Sequence, residues 1–410
     1  MAVGDSRIRR YYLFRAVTSF SLWLPFWLLW IYENVENLLM VTIIDTAFWA
    51  TMILFQIPTG LIGDKYGRKT VLFIGEVTYV AGIFLFGLSS EFWTFFASNI
   101  IWALGVCFIV SGDTPFLYDT LVELKREKHF ITIMARCSAI MYAMNAVACV
   151  VGGLIVDATE KLNLTLLIAA CIGLLGSFTV VLLKEPVVDR STIGSYRSQL
   201  KVGVKLVFGS AAILVLVFYQ VLIEIAVYVM TVFRPIYMNI DLNLDYLQIG
   251  LFYGSFSIVN GLVLTQAGRI ETRLGEKLSL VVLFVSVLAS FVLVFLIVSP
   301  VAIVAQYVMY AVSGLLYPIT NGYINKRVLS SQHRSTVIAI ATFLFTLLLA
   351  VVEIPAGWYA TGSGMRETLL ILAICITPIG IYLLRKWYKE VNRLPSEAQL
   401  LRKTRTLKRF

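Results

Sequence analysis

The sequence predicts an all-α membrane protein with twelve transmembrane helices arranged as two similar six-helix halves. Three observations carry this. Of 410 residues, 59% are hydrophobic and 14% charged, with a mean hydropathy of +0.85, against about 45–50% apolar and about 25% charged in soluble domains. Twelve apolar runs each approach the roughly 20 residues that a helix needs to cross about 30 Å of hydrocarbon. The basic residues fall almost entirely on one side of those runs.

The first run, 11–32, follows Arg7, Arg9 and Arg10 and lacks a small-residue cleavage site, so it reads as a retained span. Five more follow at 38–62, 70–90, 93–117, 131–156 and 164–183, completing an N-terminal half over 1–183. The polar stretch 184–206 is a cytoplasmic linker, long enough for a short amphipathic helix at the interface. Spans at 207–230, 246–267, 278–298, 301–324, 336–359 and 367–388 form a C-terminal half over 207–390, and 391–410 is a basic tail. Continuous apolarity over such lengths excludes a membrane β-barrel, whose strands alternate.

This count puts 31 of the 34 Lys and Arg residues on the side of both termini, leaving Lys161, Arg234 and Arg366 for the other. The positive-inside rule then places the termini in the cytoplasm, in a multi-pass plasma-membrane protein. Topology therefore accounts for the net charge of +10, and no nucleic-acid partner is needed. The cysteines, Cys107, Cys137, Cys149, Cys171 and Cys375, are scattered in apolar runs and read as small core residues. His129 and His333 sit at span ends beside Lys128 and Arg334. No metal, cofactor or catalytic constellation is expected, and no loop is large enough to house an enzyme's active site.

Between the second and third spans, residues 60–69 read G-L-I-G-D-K-Y-G-R-K. A shift of 208 places G-R-I-E-T-R-L-G-E-K, 268–277, beneath it, with Gly268 under Gly60, Gly275 under Gly67 and Lys277 under Lys69. Thr272 replaces Asp64 and Glu276 replaces Arg68, so the second copy has lost the aspartate. A shift of 204 aligns His129-x-x-Thr132 with His333-x-x-Thr336. Parallel repeats of this kind place a transporter's substrate near mid-membrane between the halves.

The pattern G-x-x-x-D-K-x-G-R-K, at Gly60, Asp64, Lys65, Gly67, Arg68 and Lys69, resembles the signature loop of the major facilitator superfamily of secondary transporters, and the 6+6 layout extends the resemblance over the chain. The resemblance implies a gating latch between the halves. Asp64 would lie near the start of the eleventh span at about Thr336, and Arg68 near an acid of the fourth, Asp119 first and Glu123 second. It also implies that spans one, four, seven and ten line the cavity, while two and eleven meet across the halves. Drug-antiporter features are missing: Ile101 stands four residues before Gly105, where an arginine is usual, and 146–154 contains no proline.

Ionisable residues inside spans are costly and point to function. Asp45, Glu224 and Glu353 lie in the outer halves of spans two, seven and eleven, and the implied arrangement gathers them into one region suited to proton coupling. Asp45 and Glu353 can equally brace the helix interface. Asp113, beside Pro115, either faces the cavity or pairs with Arg15 or Arg136. Glu76 is expected to partner the nearby basic loop. Tyr219 and Tyr228 flank Glu224, and Tyr310 recurs in span ten, so an acidic cavity with aromatic walls would suit a cationic or amphipathic ligand.

The function expected is alternating-access transport of a small molecule by a monomer, coupled to protons and exporting cationic or amphipathic compounds. Alternatives are a proton-coupled uptake symporter for a polar metabolite, or a transporter-like sensor without a transport cycle.

Overall fold

The computed structural model describes residues 5–187, 207–328 and 331–393, and among them every regular element is helical. Most of the linker, where an amphipathic helix is expected, and the tail beyond 393 lie outside the described residues. The first series of helices is α1 (Ser6–Thr18), α2 (Trp27–Val35), α3 (Leu38–Tyr66), α4 (Arg68–Leu88), α5 (Phe92–Glu123), α6 (Phe130–Thr159) and α7 (Asn163–Val181). The second is α8 (Ala211–Ile236), continued by a π-helical turn at Tyr237–Asp241, then α9 (Tyr246–Leu296), α10 (Ile303–Arg327), α11 (Ser331–Ser363) and α12 (Met365–Arg393).

Helices are the natural solution here because hydrocarbon offers the backbone no hydrogen-bond partners. Side-chain caps close their starts: Asp5 accepts from Arg7 N at 2.9 Å, Asn37 from Leu39 N at 2.9 Å, and Asp245 from Gln248 N at 2.7 Å. Large apolar side chains such as Phe178, Leu54 and Trp93 stand exposed on helix flanks, where lipid rather than water would meet them.

The expected continuous span at 11–32 is broken between α1 and α2. Pro25 has no N–H and would clash with the carbonyl of Ser21 in an unbroken helix, and the chain takes turns instead from Ser19 to Phe26. Trp30 Nε1 donating to the Phe86 carbonyl at 3.2 Å and the edge-on Trp23–Trp102 pair at 4.7 Å fix the broken segment against α4 and α5.

Ten helices among the described residues are long and apolar enough to cross a membrane. One of them, α9, has 51 residues and would reach about 77 Å if straight. It folds back at Gly275, whose φ of 70° and ψ of 171° lie outside the helical region. Its start is tied to Glu33 through Tyr246 at 3.0 Å, its bend to Arg327 through Glu276 at 2.7 Å, and its end to Arg366 through the carbonyls of Val294 and Phe295. Thus α9 supplies two crossings, and α1 with α2 makes the first, which gives the twelve-span arrangement.

The two series meet along two seams, α3 against α11 and α6 against α9. At the second, Gly153 and Gly250 let the backbones touch: a Cβ on Gly153 would lie 3.0 Å from the Tyr246 carbonyl oxygen and 3.1 Å from Gly250 Cα. Asn37, Thr361, Glu33 and Tyr246 add polar links at the same end of the molecule. That end, opposite the 63–69 loop, is closed. Of the cysteines, Cys107, Cys137 and Cys149 are buried, whereas Cys171 and Cys375 are exposed on helix surfaces, so the core reading holds for three of five.

Candidate functional site

The crossing of α3 and α11 brings together Asp45 and Glu353, 1% and 0% exposed. Their side chains face each other within hydrogen-bonding reach, and two carboxyl groups can bond to each other only through a proton. Tyr228, from α8, donates to Asp45 Oδ2 at 2.8 Å, and Thr46 donates to Glu353 Oε2 at 3.3 Å. Glu353 Oε1 is buried with no hydrogen-bond partner among the described residues. Trp49 closes the group, edge-on to Tyr228 at 5.2 Å and to Phe345 at 5.4 Å. No described Lys or Arg lies within salt-bridge distance of either acid. The pair spans the interface between the two series: Asp45 belongs to one, Glu353 and Tyr228 to the other.

Glu224 is not part of this contact, contrary to the expectation that all three acids would cluster. It lies one turn before Tyr228 on α8, half-buried, and accepts a hydrogen bond from Tyr317 of α10. Its neighbour along the same seam is the buried Gln220–Thr320 pair at 2.9 Å. Tyr219 does not flank this carboxyl either. An α-helix turns 100° per residue, and Tyr219 projects to the other side, donating to the Leu280 carbonyl at 2.6 Å.

The same seam carries a residue that the charge count assigned to the opposite-face loops. Arg234 is 1% exposed within α8. Its Nε donates to Gln306 Oε1 at 2.8 Å, and its guanidinium lies 4.4 Å from the centre of the Tyr310 ring and 5.9 Å from that of Phe256. Tyr310, expected to meet a cationic substrate, is thus covered by a cation of the chain itself. Tyr253 lies between Gly250 and Gly254, which pack against the Cys149 and Ala146 carbonyls of α6, so this cluster also borders the seam between the series. The sequence signal for Arg234 was that apolar residues continue past it, through Pro235, Ile236 and Tyr237.

In the first series the alternatives for Asp113 resolve. Tyr11 donates to its Oδ1 at 2.6 Å and Arg15 to its Oδ2 at 2.7 Å, while Arg136 does not contact it. Glu76 departs from expectation. It is 2% exposed within α4 and within electrostatic reach of Arg15 and Asp113 rather than of the basic loop.

At the 63–69 loop, Arg68 bonds Asp64 at 2.5 Å and lies 4.0 Å from Asp119, the expected acid of α5. The second choice, Glu123, pairs with Arg7 at 2.8 Å. Asp64 is expected near the start of α11 at about Thr336; the side chains just before it, at 331–335, lie outside the described residues. Sequence reasoning missed Glu185, whose two oxygens accept from Arg68 N and Lys69 N at 2.7 Å each and so close the α4 N-terminus. Lys69 Nζ donates to the Val181 carbonyl at 2.8 Å, while Lys65 rests against Tyr66. A Cβ added to Gly60 would meet nothing within 4 Å, so that glycine is not required by packing.

Gly67 carries the turn, with φ 104° and ψ 151°, a region open essentially to glycine alone. A Cβ there would also meet Glu185 Oε1 at 2.9 Å. Gly67→Ala is expected to destabilise the fold by about 1–3 kcal/mol, read as a lower apparent melting temperature of the purified protein. A melting temperature equal to that of the parent would contradict this.

A sequence model of the Major Facilitator Superfamily matches residues 12–352. Among solved structures, the nucleoside transporter NupG superposes with a TM-score of 0.74 at 12% identity, over 95% of this chain and 100% of that one. A D-xylose-proton symporter gives 0.71 at 12% identity, covering 92% and 96%. A bacterial homologue of the human lysosomal transporter Spinster, in an inward-facing and occupied conformation, gives 0.70 at 10% identity, covering 94% and 96%. An uncharacterized transporter of Buchnera aphidicola subsp. Schizaphis graminum (strain Sg) is 23% identical over 118 residues, which span 29% of each chain.

Proposed function

The chain belongs to the Major Facilitator Superfamily, and from that membership we propose a secondary transporter in which the Asp45–Glu353 pair couples protons to the rocking of the two halves. One observation carries the reading: two buried carboxyl groups from opposite halves meet with no cation between them. Burying unpaired charge is costly, so a proton shared by the pair stabilises the closed end. When the halves separate there, water reaches the pair and it exchanges its proton with that side; coupling follows when the proton is released toward the loop side in the other state. Tyr228 and Thr46 orient the two carboxyls through their hydroxyl donors.

The remaining parts fit a transporter working as a monomer in the plasma membrane, with the basic face cytoplasmic and residues 1–183 moving against 207–390. Small-molecule cargo, protons and lipid are its partners, and no step calls for catalysis or a cofactor. The half-buried Glu224–Tyr317 group on the α8–α10 seam is the recognition point for a cationic or amphipathic cargo, the class for which export is the expected direction. A second reading, uptake of a polar metabolite with a proton, is favoured by the buried Gln220–Thr320 pair on the same seam and by the fold's likeness to a nucleoside transporter and a xylose–proton symporter.

The test is accumulation in proteoliposomes under an imposed pH gradient. Nucleosides, pentoses and lipophilic cations would be screened with and without a protonophore. Gradient-dependent accumulation or expulsion of any member, collapsed by the protonophore, supports the coupling. Facilitated movement of a member that ignores the gradient contradicts it, and binding without any movement would indicate a sensor.

A further inference from the structure

Arg234 has no role in the proton scheme, yet it is the most deeply buried unpaired cation described here. A guanidinium presents five N–H donors and remains charged at any accessible pH. Holding it at 1% exposure with no carboxylate within salt-bridge distance among the described residues costs several kcal/mol of desolvation. What surrounds it is neutral: Gln306 at 2.8 Å and the Tyr310 and Phe256 rings. Gln306 is itself 0% exposed and donates its amide to Met230 Sδ at 3.3 Å, which fixes its oxygen on the arginine.

Such a shell orients the guanidinium without neutralising it, which is how a site for an external anion is built. The position agrees. Tyr253, beside Arg234, lies between Gly250 and Gly254, where a Cβ would stand 2.5 Å from the Cys149 carbonyl oxygen and 2.8 Å from that of Ala146 on α6, and that seam shuts the end opposite the basic loop. Gln306, Phe256 and Tyr310 belong to the same half as Arg234 and move with it, so separating the halves at that end opens this cluster only on its α6 side. With the end shut, the ring faces stand in for the missing anion through cation–π contact.

We propose that Arg234, oriented by Gln306, binds an oxyanion group of the transported substrate, a carboxylate or a phosphate monoester, when the opposite end is open. The inference deepens the reading of a transporter for a polar metabolite and rests on it. For a monocarboxylate the charges balance: one proton on the Asp45–Glu353 pair and one anion on Arg234 enter together, whereas a phosphate monoester, at about −1.5 to −2, would carry net negative charge with a single proton.

The experiment is a thermal-shift titration of the purified full chain with matched probes: glucuronate against glucose, uridine 5′-monophosphate against uridine, and inorganic phosphate and sulfate alone. A ligand of the folded state raises the melting temperature by mass action. The expected result is stabilisation by a carboxylate or phosphate probe and not by its neutral twin, with apparent affinity at least about ten-fold weaker in Arg234→Gln, in line with the loss of a charge-assisted hydrogen bond. Arg234→Lys should recover part of it.

If Arg234→Gln does not fold, phenylglyoxal labelling of Arg234 in the parent protein, read by peptide mass, decides the matter. The anionic probe should protect that residue and its neutral twin should not. Equal stabilisation by both twins, unaltered affinity in Arg234→Gln, or no response to any anionic probe would overturn the proposal and leave Arg234 a structural residue. The two ideas fail separately, because anion binding is read from the melting temperatures of the parent and Arg234→Gln, whereas the proton scheme is read from gradient-dependent accumulation.

Discussion

Glu353→Gln is expected to abolish gradient-driven accumulation while leaving the protein folded and able to bind its cargo. Glutamine keeps the volume of glutamate and still accepts a hydrogen bond from Thr46, which now bonds Glu353 Oε2 at 3.3 Å. It can also occupy the place facing Asp45 as a permanent donor, the role a shared proton plays in the parent. The closed end therefore forms without taking up a proton, and movement of cargo no longer depends on the gradient. One pH unit is worth 1.36 kcal/mol per proton, about ten-fold in accumulation for one proton per cycle, and that factor should fall to about one. Asp45→Asn should behave alike, with Tyr228 still donating to the remaining oxygen. Accumulation that still follows the gradient in both variants would remove the pair from the mechanism.

Gly153→Val has the second large expected effect, on conformation rather than chemistry. The α6–α9 seam closes only because glycine faces glycine: a Cβ on residue 153 would stand 3.0 Å from the Tyr246 carbonyl oxygen and 3.1 Å from Gly250 Cα. Overpacking of this kind costs about 1–3 kcal/mol, a shift of about 5–150-fold in an equilibrium between two states. Each helix of the seam can still form, so folding should survive while the closed end is disfavoured and transport is lost. A variant that transports as well as the parent would show that the seam yields, or that its closure is not needed.

How far the sequence disclosed this molecule differs from feature to feature. Twelve spans, two halves and the basic loop were legible because apolar length and positive charge report directly on the bilayer. The interruption of the first span was signalled only by Pro25, which a membrane helix often tolerates. The latch illustrates a repeat read too narrowly. Under the shift of 208, Arg68 and Asp119 map onto Glu276 and Arg327, and the second pair is joined at 2.7 Å with its charges exchanged. The second half lacks a counterpart of Asp64, with Thr272 in its place, but keeps the counterpart of the Arg68–Asp119 pair with reversed polarity.

The candidate site was legible residue by residue but not as a constellation. Asp45 and Glu353 meet because α3 crosses α11, a fact of packing that hydropathy does not contain. Glu224 and Tyr228, one turn apart on α8, go to different partners because α10 supplies Tyr317 to one and α3 supplies Asp45 to the other. Arg234 was hidden by its charge, which topology arithmetic sent to a loop although apolar sequence runs on beyond it. Glu185 was hidden by distance, since it caps a helix 117 residues away.

The central claim, that a shared proton holds the opposite end closed, can be measured on the protein without knowing its cargo. Cys149 is 0% exposed in the closed seam, and with Cys171→Ser and Cys375→Ser its thiol reports opening to a membrane-impermeant maleimide. Glu33 provides the control at the same end: burial raises its carboxyl above the ordinary value while the hydrogen bond from Tyr246 lowers it, and Glu33→Gln should leave the response in place. Cys149 labelling in reconstituted protein, divided by its rate in the denatured protein at the same pH to remove the intrinsic rise of thiolate reactivity, is predicted to rise as pH rises, because losing the shared proton leaves two carboxylates facing each other, and to be flat with pH in Glu353→Gln. Labelling indifferent to pH with both acids present, or a pH profile unchanged in Glu353→Gln, would contradict it.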